Sequence, residues 1–157
     1  MSLEEGILSM TRKITLDWSY PMDINNILVD SRMNDIGIYY ITRNFGGKNS
    51  DLYIGKTTYS FGSRLESHNW FWLDDYRGSK QVRLGYLVSP KRISEDDKKQ
   101  LINDAEMTLI WLMGDSLIHN KQCMQTCYPT NRLLIKNIGY RGNLLSEMYF
   151  TDEEWYG

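Results

Sequence analysis

Two short runs of aromatic and β-branched residues, separated by a glycine-containing turn, constrain the fold most strongly. The first, residues 36–42, is Ile-Gly-Ile-Tyr-Tyr-Ile-Thr, and the second, residues 52–55, is Leu-Tyr-Ile-Gly. These residue types favour extended backbone, and the intervening Asn-Phe-Gly-Gly-Lys-Asn segment is typical of a tight turn. The sequence therefore predicts an antiparallel hairpin, in which alternation places Tyr39 and Tyr40 on opposite faces.

Local patterns predict further elements along the chain. Residues 82–88 are expected to form a third strand. Ser94, followed by three acidic residues, is typical of a helix N-terminus, and this helix is expected to end at Gly114. Other helices are predicted in three segments, residues 60–69, 116–126 and 130–136. The order β-β-α-β-α-α predicts an α+β fold in which a small, largely antiparallel sheet of three strands is flanked by helices.

Chain length and composition indicate a single globular domain. The chain has 157 residues and a mass of 18.5 kDa, enough for one hydrophobic core. Its 41% hydrophobic and 24% charged residues exclude a disordered or fibrous protein. We expect an N-terminal extension packed on the core (residues 1–35), a main domain (residues 36–136) and a C-terminal tail (residues 137–157).

The sequence gives no sign of a membrane or secreted protein. No apolar run approaches the roughly 20 residues that a membrane-spanning helix needs, so no membrane partner is expected. The opening Met-Ser-Leu-Glu-Glu is acidic and lacks the apolar stretch of a secretory signal. The chain has two cysteines, which is typical of a reducing compartment. These features predict a cytoplasmic location.

The charge of the chain is unevenly distributed. The formal net charge is −2, whereas proteins that bind nucleic-acid phosphates usually carry a basic excess. Residues 56–92 contain seven basic and three acidic side chains, and residues 93–119 contain two basic and six acidic ones. A basic segment followed by an acidic helix is compatible with an anion-binding face but does not require one.

The two tyrosine strands begin an ordered set of residues that continues along the chain. The set is Gly37-Ile38-Tyr39, Tyr53-Ile54-Gly55, Arg64, His68, Glu106 and Asn120. It resembles the GIY-YIG nuclease superfamily, which includes phage intron-encoded homing endonucleases, some type II restriction enzymes and the incision subunit of bacterial excision repair. The resemblance covers residues 36–120 and implies the same nuclease-like α+β fold.

Three of these residues have side chains suited to phosphate chemistry. Arg64 and His68, four residues apart, share one face of the predicted helix. An arginine can hold a phosphate through two hydrogen bonds, and a histidine transfers protons near neutral pH. Glu106 lies beside an apolar helix stripe, so its carboxylate needs either a divalent cation or a Lys or Arg partner. Both alternatives remain open for Glu106.

The resemblance assigns a catalytic role to the tyrosines and a metal-binding role to the glutamate. It implies that Tyr39 helps to activate the attacking water and that Tyr53 has a positioning role. It also implies that Glu106 is the single protein ligand of Mg²⁺, for which Mn²⁺ can substitute. Asn120 matches the family's late asparagine, although Asn131, which follows Pro129-Thr130, is a competing candidate.

Four further residues are candidates for substrate contacts. Lys56 directly follows the second motif and is suited to a phosphate, although a solvated lysine is a close alternative. Gly55 would allow close approach of the backbone. Arg77 and Lys80 follow Trp70-Phe71-Trp72, and together they are expected to form a base-stacking surface beside a basic patch unless the aromatic residues belong to the core.

The predicted function is that of a metal-dependent endonuclease that hydrolyses DNA phosphodiester bonds by attack of activated water. The partner is DNA, and either a homodimer or a recruiting partner protein is expected, because cleavage of both strands takes two sites. The alternative is a non-catalytic module that keeps the GIY-YIG fold and binds nucleic acid or protein.

Overall fold

The fold is given by a computed structural model that describes residues 12–23, 36–57, 75–88, 93–113, 116–117 and 133–150. Within these residues the chain forms one seven-stranded sheet and one long helix. The elements are β1 (Arg12–Trp18), β2 (Met22–Asp23), β3 (Gly37–Phe45), β4 (Lys48–Thr57), β5 (Ser79–Leu87), α1 (Glu95–Met113), β6 (Leu133–Gly139) and β7 (Glu147–Phe150).

The sheet is larger than the sequence predicted. Its strand order is β4-β3-β5-β1-β6-β7, and β2 pairs with β5 beside this path. All neighbouring strands are antiparallel except β1 and β6, which are parallel. The prediction of a small three-stranded sheet flanked by helices is therefore wrong, because strands from both ends of the described chain join the sheet.

The central hairpin is confirmed. β3 and β4 pair in antiparallel register, with Tyr39 opposite Gly55. Gly46 and Gly47 connect the strands with φ angles of +62° and +80°, the left-handed backbone that a two-residue hairpin turn requires. The register shifts between Ile41 and Thr42, where β4 contains one extra residue.

The predicted third strand and the helix from Ser94 are also confirmed, as β5 and α1. The Ser94 hydroxyl accepts a hydrogen bond from the backbone N–H of Asp97 at 3.1 Å, so it caps the helix. The helix predicted for residues 130–136 is wrong where the structure describes it, because Leu133 begins β6. A short apolar run of this kind fits either a strand or a buried helix. The segment 60–69 and most of 116–126 lie outside the described residues.

The two faces of the sheet carry separate hydrophobic clusters. On one face α1 packs against strand residues that include Ile38, Tyr40 and Ile54. The other face carries a smaller cluster of Tyr39, Ile41, Leu52, Val82 and Leu84, with Tyr53 packed against it. Alternation along β3 thus directs Tyr39 away from α1.

The ends of the described chain meet inside the sheet. β1, from the segment expected to be an N-terminal extension, lies between β5 and β6, and β6 crosses the boundary expected at residue 136. The Arg12 guanidinium forms a salt bridge with Asp104 of α1, which tethers β1 to the helix. No helix among the described residues is long and apolar enough to cross a membrane.

Candidate functional site

The two tyrosine motifs interlock across the hairpin. Tyr39 is fully buried, and its ring lies across Gly55, its cross-strand partner. The close approach that Gly55 allows is thus made by the tyrosine ring of the first motif, and the contact of Gly55 with substrate stays a prediction. Any side chain larger than hydrogen at position 55 would occupy the volume of this ring.

Tyr53 lies against Tyr39 on the same face of the sheet. The ring centroids are 5.8 Å apart and the planes are inclined by 31°, so the rings contact each other in a tilted arrangement. Tyr53 is only partly buried, whereas Tyr39 has no exposed surface. Of the two hydroxyl-bearing rings, Tyr53 is therefore the one on the accessible side.

Lys56 projects from the opposite face of the sheet, toward α1. It pairs across the hairpin with Ile38, which belongs to the cluster under α1. Its Nζ donates a hydrogen bond to Oδ1 of Asn103, so the residue that follows the second motif fastens β4 to the helix. Glu106 lies three residues after Asn103, on a neighbouring part of the helix surface, and is half-buried.

The predicted site residues thus fall into two groups within the described chain. Tyr39, Tyr53 and Gly55 meet on the face away from α1, whereas Lys56 and Glu106 belong to the α1 side. Within the described segments no group of three or more His, Cys, Asp or Glu side chains is arranged to hold a metal ion. Four of the predicted residues lie outside the described chain: Arg64, His68, Asn120 and its competitor Asn131.

Arg77 and Lys80 lie near the start of β5. Arg77 is exposed in the turn before the strand, and Lys80 pairs directly with Arg43 of β3. The Arg43 guanidinium carbon lies 5.7 Å from the ring centroid of Tyr76, a cation–π distance. By alternation, Arg43 and Lys80 share the sheet face with Tyr39 and lie beyond it along the strands.

A buried polar network on the α1 side was not predicted. The Tyr40 hydroxyl donates to Oδ1 of Asp51, and Nδ2 of Asn143 donates to the same oxygen at 3.0 Å. Burial, and then the hydrogen bond to Asp51, raises the pKa of Tyr40 far above its ordinary value. The Arg83 guanidinium lies 5.8 Å from the Tyr40 ring centroid, and burial lowers the pKa of Arg83. The network fastens the connection between β6 and β7 to the hairpin.

Sequence reasoning also missed two residues that matter for the site. Asn103 is the acceptor for Lys56, but nothing in the helical pattern distinguishes this amide from a solvated one. Arg43 lies just beyond the predicted end of the first strand. If the predicted strand had been extended past residue 42, the alternation of its side chains would have placed Arg43 on the same face as Tyr39.

Comparisons of the chain with models of protein families, with curated protein sequences and with solved structures gave no match. Within the described residues, two features bear on function: the interlocked tyrosine motifs and the Glu106 carboxylate on α1.

Proposed function

We propose that the protein is a metal-dependent endonuclease of the GIY-YIG type that hydrolyses DNA phosphodiester bonds. The observation that carries the proposal is that the strands bearing Gly37-Ile38-Tyr39 and Tyr53-Ile54-Gly55 form one hairpin, in which Tyr39 lies opposite Gly55, covers it and contacts Tyr53. Lys56, the next residue, connects this hairpin to the helix that bears Glu106.

Glu106 fits a Mg²⁺ site in which the protein supplies few of the ligands. Glu106 is half-buried on α1 and offers one carboxylate, and Mg²⁺ commonly binds through one or two carboxylates, with water and substrate oxygens as its other ligands. Bound there, the metal would stabilise charge on the scissile phosphate and on the leaving oxygen. Glu106 would hold and orient the metal, and Lys56 would hold β4 against the same helix.

The two tyrosines have different exposures and therefore different roles. Tyr53 is the partly exposed member, so it is the first that water and substrate reach. Tyr39 supports the Tyr53 ring from the buried side through their tilted contact. Activation of water by Tyr39 itself stays a prediction and requires its hydroxyl to become accessible. Proton handling and a phosphate clamp are assigned by resemblance to His68 and Arg64, with Asn120 orienting the site.

A non-catalytic module of the same fold is the second candidate, and one observation favours it. Tyr39 and Tyr53 both lie on the face away from α1, and Tyr39 is fully buried there, so both tyrosines project from a different layer of the described structure than Glu106. In this alternative Tyr39 is a core residue that packs on Gly55, and Glu106 is an edge carboxylate. The protein would then bind nucleic acid or another protein without cutting it.

The cellular setting of the proposed enzyme is the cytoplasm, which agrees with the low cysteine content. Its partner is DNA. Cleavage of both strands would need either a homodimer or recruitment by a partner protein.

A supercoiled-plasmid nicking assay with Mg²⁺ or Mn²⁺ tests the proposal. We expect metal-dependent nicking by the wild type and its loss in Glu106→Gln, because the amide removes the anionic ligand. Glu95→Gln is the matched control, since Glu95 is an exposed residue in the first turn of the same helix. Tyr53→Phe is expected to lower the nicking rate, because it removes the hydroxyl of the partly exposed tyrosine that has the positioning role.

Titration calorimetry with Mn²⁺ separates the two candidates when the plasmid is not cut. Binding that disappears in Glu106→Gln and persists in Glu95→Gln supports the nuclease with an unmet substrate requirement. Equal binding by all three proteins, or no binding by any of them, contradicts the role of Glu106 and favours the non-catalytic module.

A further inference from the structure

We propose that the turn end of the β3–β4 hairpin binds the backbone of an unpaired nucleic-acid segment and stacks a base on Phe45. We call this surface the hairpin-tip site and define it by Arg43, Phe45, Lys48 and Lys80. The inference deepens the proposed function, on which it rests for the identity of the substrate, because it names the part of the DNA that the protein would contact away from the tyrosines.

The pairing of the strands brings the four side chains to one face. Arg43 is paired with Lys80 of β5, and Phe45 is paired with Lys48 of β4. Cross-strand partners point to the same side of a sheet, and residues two apart on one strand do so as well. Arg43 and Phe45 are two apart on β3, so the three cations and the aromatic ring form one continuous surface.

The charge arrangement at this surface is unfavourable for the protein alone. Arg43 and Lys80 are like charges placed directly opposite each other, which destabilises a sheet. Lys48 adds a third positive charge two residues along, and Ser50, the other partner of Arg43, is neutral. The exposed Asp75 is the acid nearest in sequence to Lys80 among the described residues. A bound phosphate chain would neutralise the cations and remove their repulsion.

The Arg43 guanidinium lies against an aromatic ring. Its guanidinium carbon is 5.7 Å from the ring centroid of Tyr76. A guanidinium supported on one side by an aromatic ring suits phosphate binding, because its planar donors are already oriented.

Gly78 allows the turn before β5 to pack closely against the hairpin tip. Its φ of +103° lies in the region that side chains disfavour. An added Cβ would come within 2.9 Å of the carbonyl carbon of Asn44 and 3.0 Å of the Cβ of Phe45. The turn that carries Tyr76 and the exposed Arg77 is thus packed directly against the end of β3.

The exposed ring of Phe45 indicates which form of nucleic acid would bind at the hairpin-tip site. It is 53% exposed although it is a large apolar side chain, and Gly46 follows it at the turn. Exposed aromatic rings beside cations are typical of surfaces that bind single strands, where each base can stack on a ring. In a duplex the bases already stack on each other, so Phe45 would gain little from it. The hairpin-tip site therefore favours flapped, branched or otherwise unpaired DNA.

Fluorescence anisotropy in EDTA tests the site without cleavage. The probes are an oligothymidylate of about 20 nucleotides, longer than the ~4–16 that one single-strand-binding fold covers, and a duplex of similar length. The test variant is Arg43→Gln/Lys80→Gln. The matched control is Lys13→Gln/Lys136→Gln, which removes the same charge from two exposed positions on β1 and β6.

We expect the wild type to bind oligothymidylate with strong salt dependence. The test variant should lower the slope of log affinity against log salt by about 1.4, at ~0.7 for each lost contact with a single strand, and the control should keep the wild-type slope. Phe45→Ala should weaken oligothymidylate binding by roughly 5- to 150-fold and duplex binding much less.

Three results would overturn the inference: no binding of oligothymidylate by the wild type at low salt, equal losses in the test and control variants, or equal losses of single-strand and duplex binding in Phe45→Ala. The proposed function can fail separately. Binding that depends on the hairpin-tip site without metal-dependent cleavage contradicts the nuclease alone, and cleavage without such binding contradicts the hairpin-tip site alone.

Discussion

The ring of Tyr39 fills the space that a side chain at Gly55 would need. A Cβ at position 55 would lie 2.8 Å from the ring carbon Cε2 and closer still to the hydroxyl end. The glycine of the second motif is therefore explained by the tyrosine of the first, whatever the chemistry of the site. This contact makes one position of the hairpin intolerant of the smallest possible side chain.

Gly55→Ala should therefore lower the free energy of unfolding by about 1–3 kcal/mol, the usual cost of forcing an extra carbon into a packed interior. The cost is steric and not conformational, since Gly55 has no left-handed backbone angle. Urea unfolding monitored by fluorescence measures the change. Asn49→Ala, an exposed substitution on the same strand, is the control. A wild-type midpoint in Gly55→Ala would show that the ring moves aside freely.

Tyr40 should make stability fall at alkaline pH. The pKa of Tyr40 is raised in the folded state by burial and by the hydrogen bond to Asp51. The contribution of Tyr40 to the free energy of unfolding is therefore complete below the tyrosine pKa of the unfolded chain, ~10, and is lost as the pH rises above it. Tyr40→Phe should cost about 1–3 kcal/mol near pH 8, because Asp51 loses a donor.

Between pH 10 and 12 the stability gap between the wild type and Tyr40→Phe should narrow, by at most ~1.4 kcal/mol for each pH unit. Denaturant midpoints at a series of pH values measure it. Tyr20→Phe is the control, because Tyr20 is 61% exposed. A gap that stays constant across this range would mean that Tyr40 titrates as it does in the unfolded chain.

Asn137 joins three parts of the described structure and should be sensitive to truncation. Its amide oxygen accepts a hydrogen bond from the Trp18 indole at 2.9 Å, and its amide nitrogen donates to the Leu145 carbonyl at 2.9 Å. Asn137→Ala should cost about 2–4 kcal/mol, because it leaves a buried donor and an acceptor unmatched. Lys136→Ala, at an exposed neighbour on β6, should cost far less in the same thermal or urea unfolding experiment.

Local signals predicted the local part of the fold. The β3–β4 hairpin is specified by its turn glycines and by the alternation of its strands, and α1 by its capping serine and by apolar spacing. In both cases the signals lie within one continuous segment. β1 has a clear alternation in Ile14, Leu16 and Trp18, but its partners lie about 70 and 120 residues away, and no local pattern encodes them. Residues 133–136 illustrate the other difficulty, since a run of four residues does not distinguish a strand from a helix.

The placement of the candidate-site residues could be predicted only in part. Alternation correctly put Tyr39 and Tyr40 on opposite faces, but the position of α1 against the Tyr40 face depends on packing among distant strands. For the same reason the buried network of Tyr40, Asp51 and Asn143 left no trace in local sequence. A tyrosine in a strand gives no local indication of whether its hydroxyl meets a carboxylate from the neighbouring strand.

The parallel pairing of β1 with β6 has a consequence for how the protein folds. Arg12 pairs with Leu133 and Trp18 with Gly139. During synthesis β1 therefore leaves the ribosome more than a hundred residues before its partner strand. Contacts of such long sequence separation slow folding, because a large loop must close first. Until then one edge of β1 offers unpaired backbone groups, and such an edge favours aggregation of the incomplete chain.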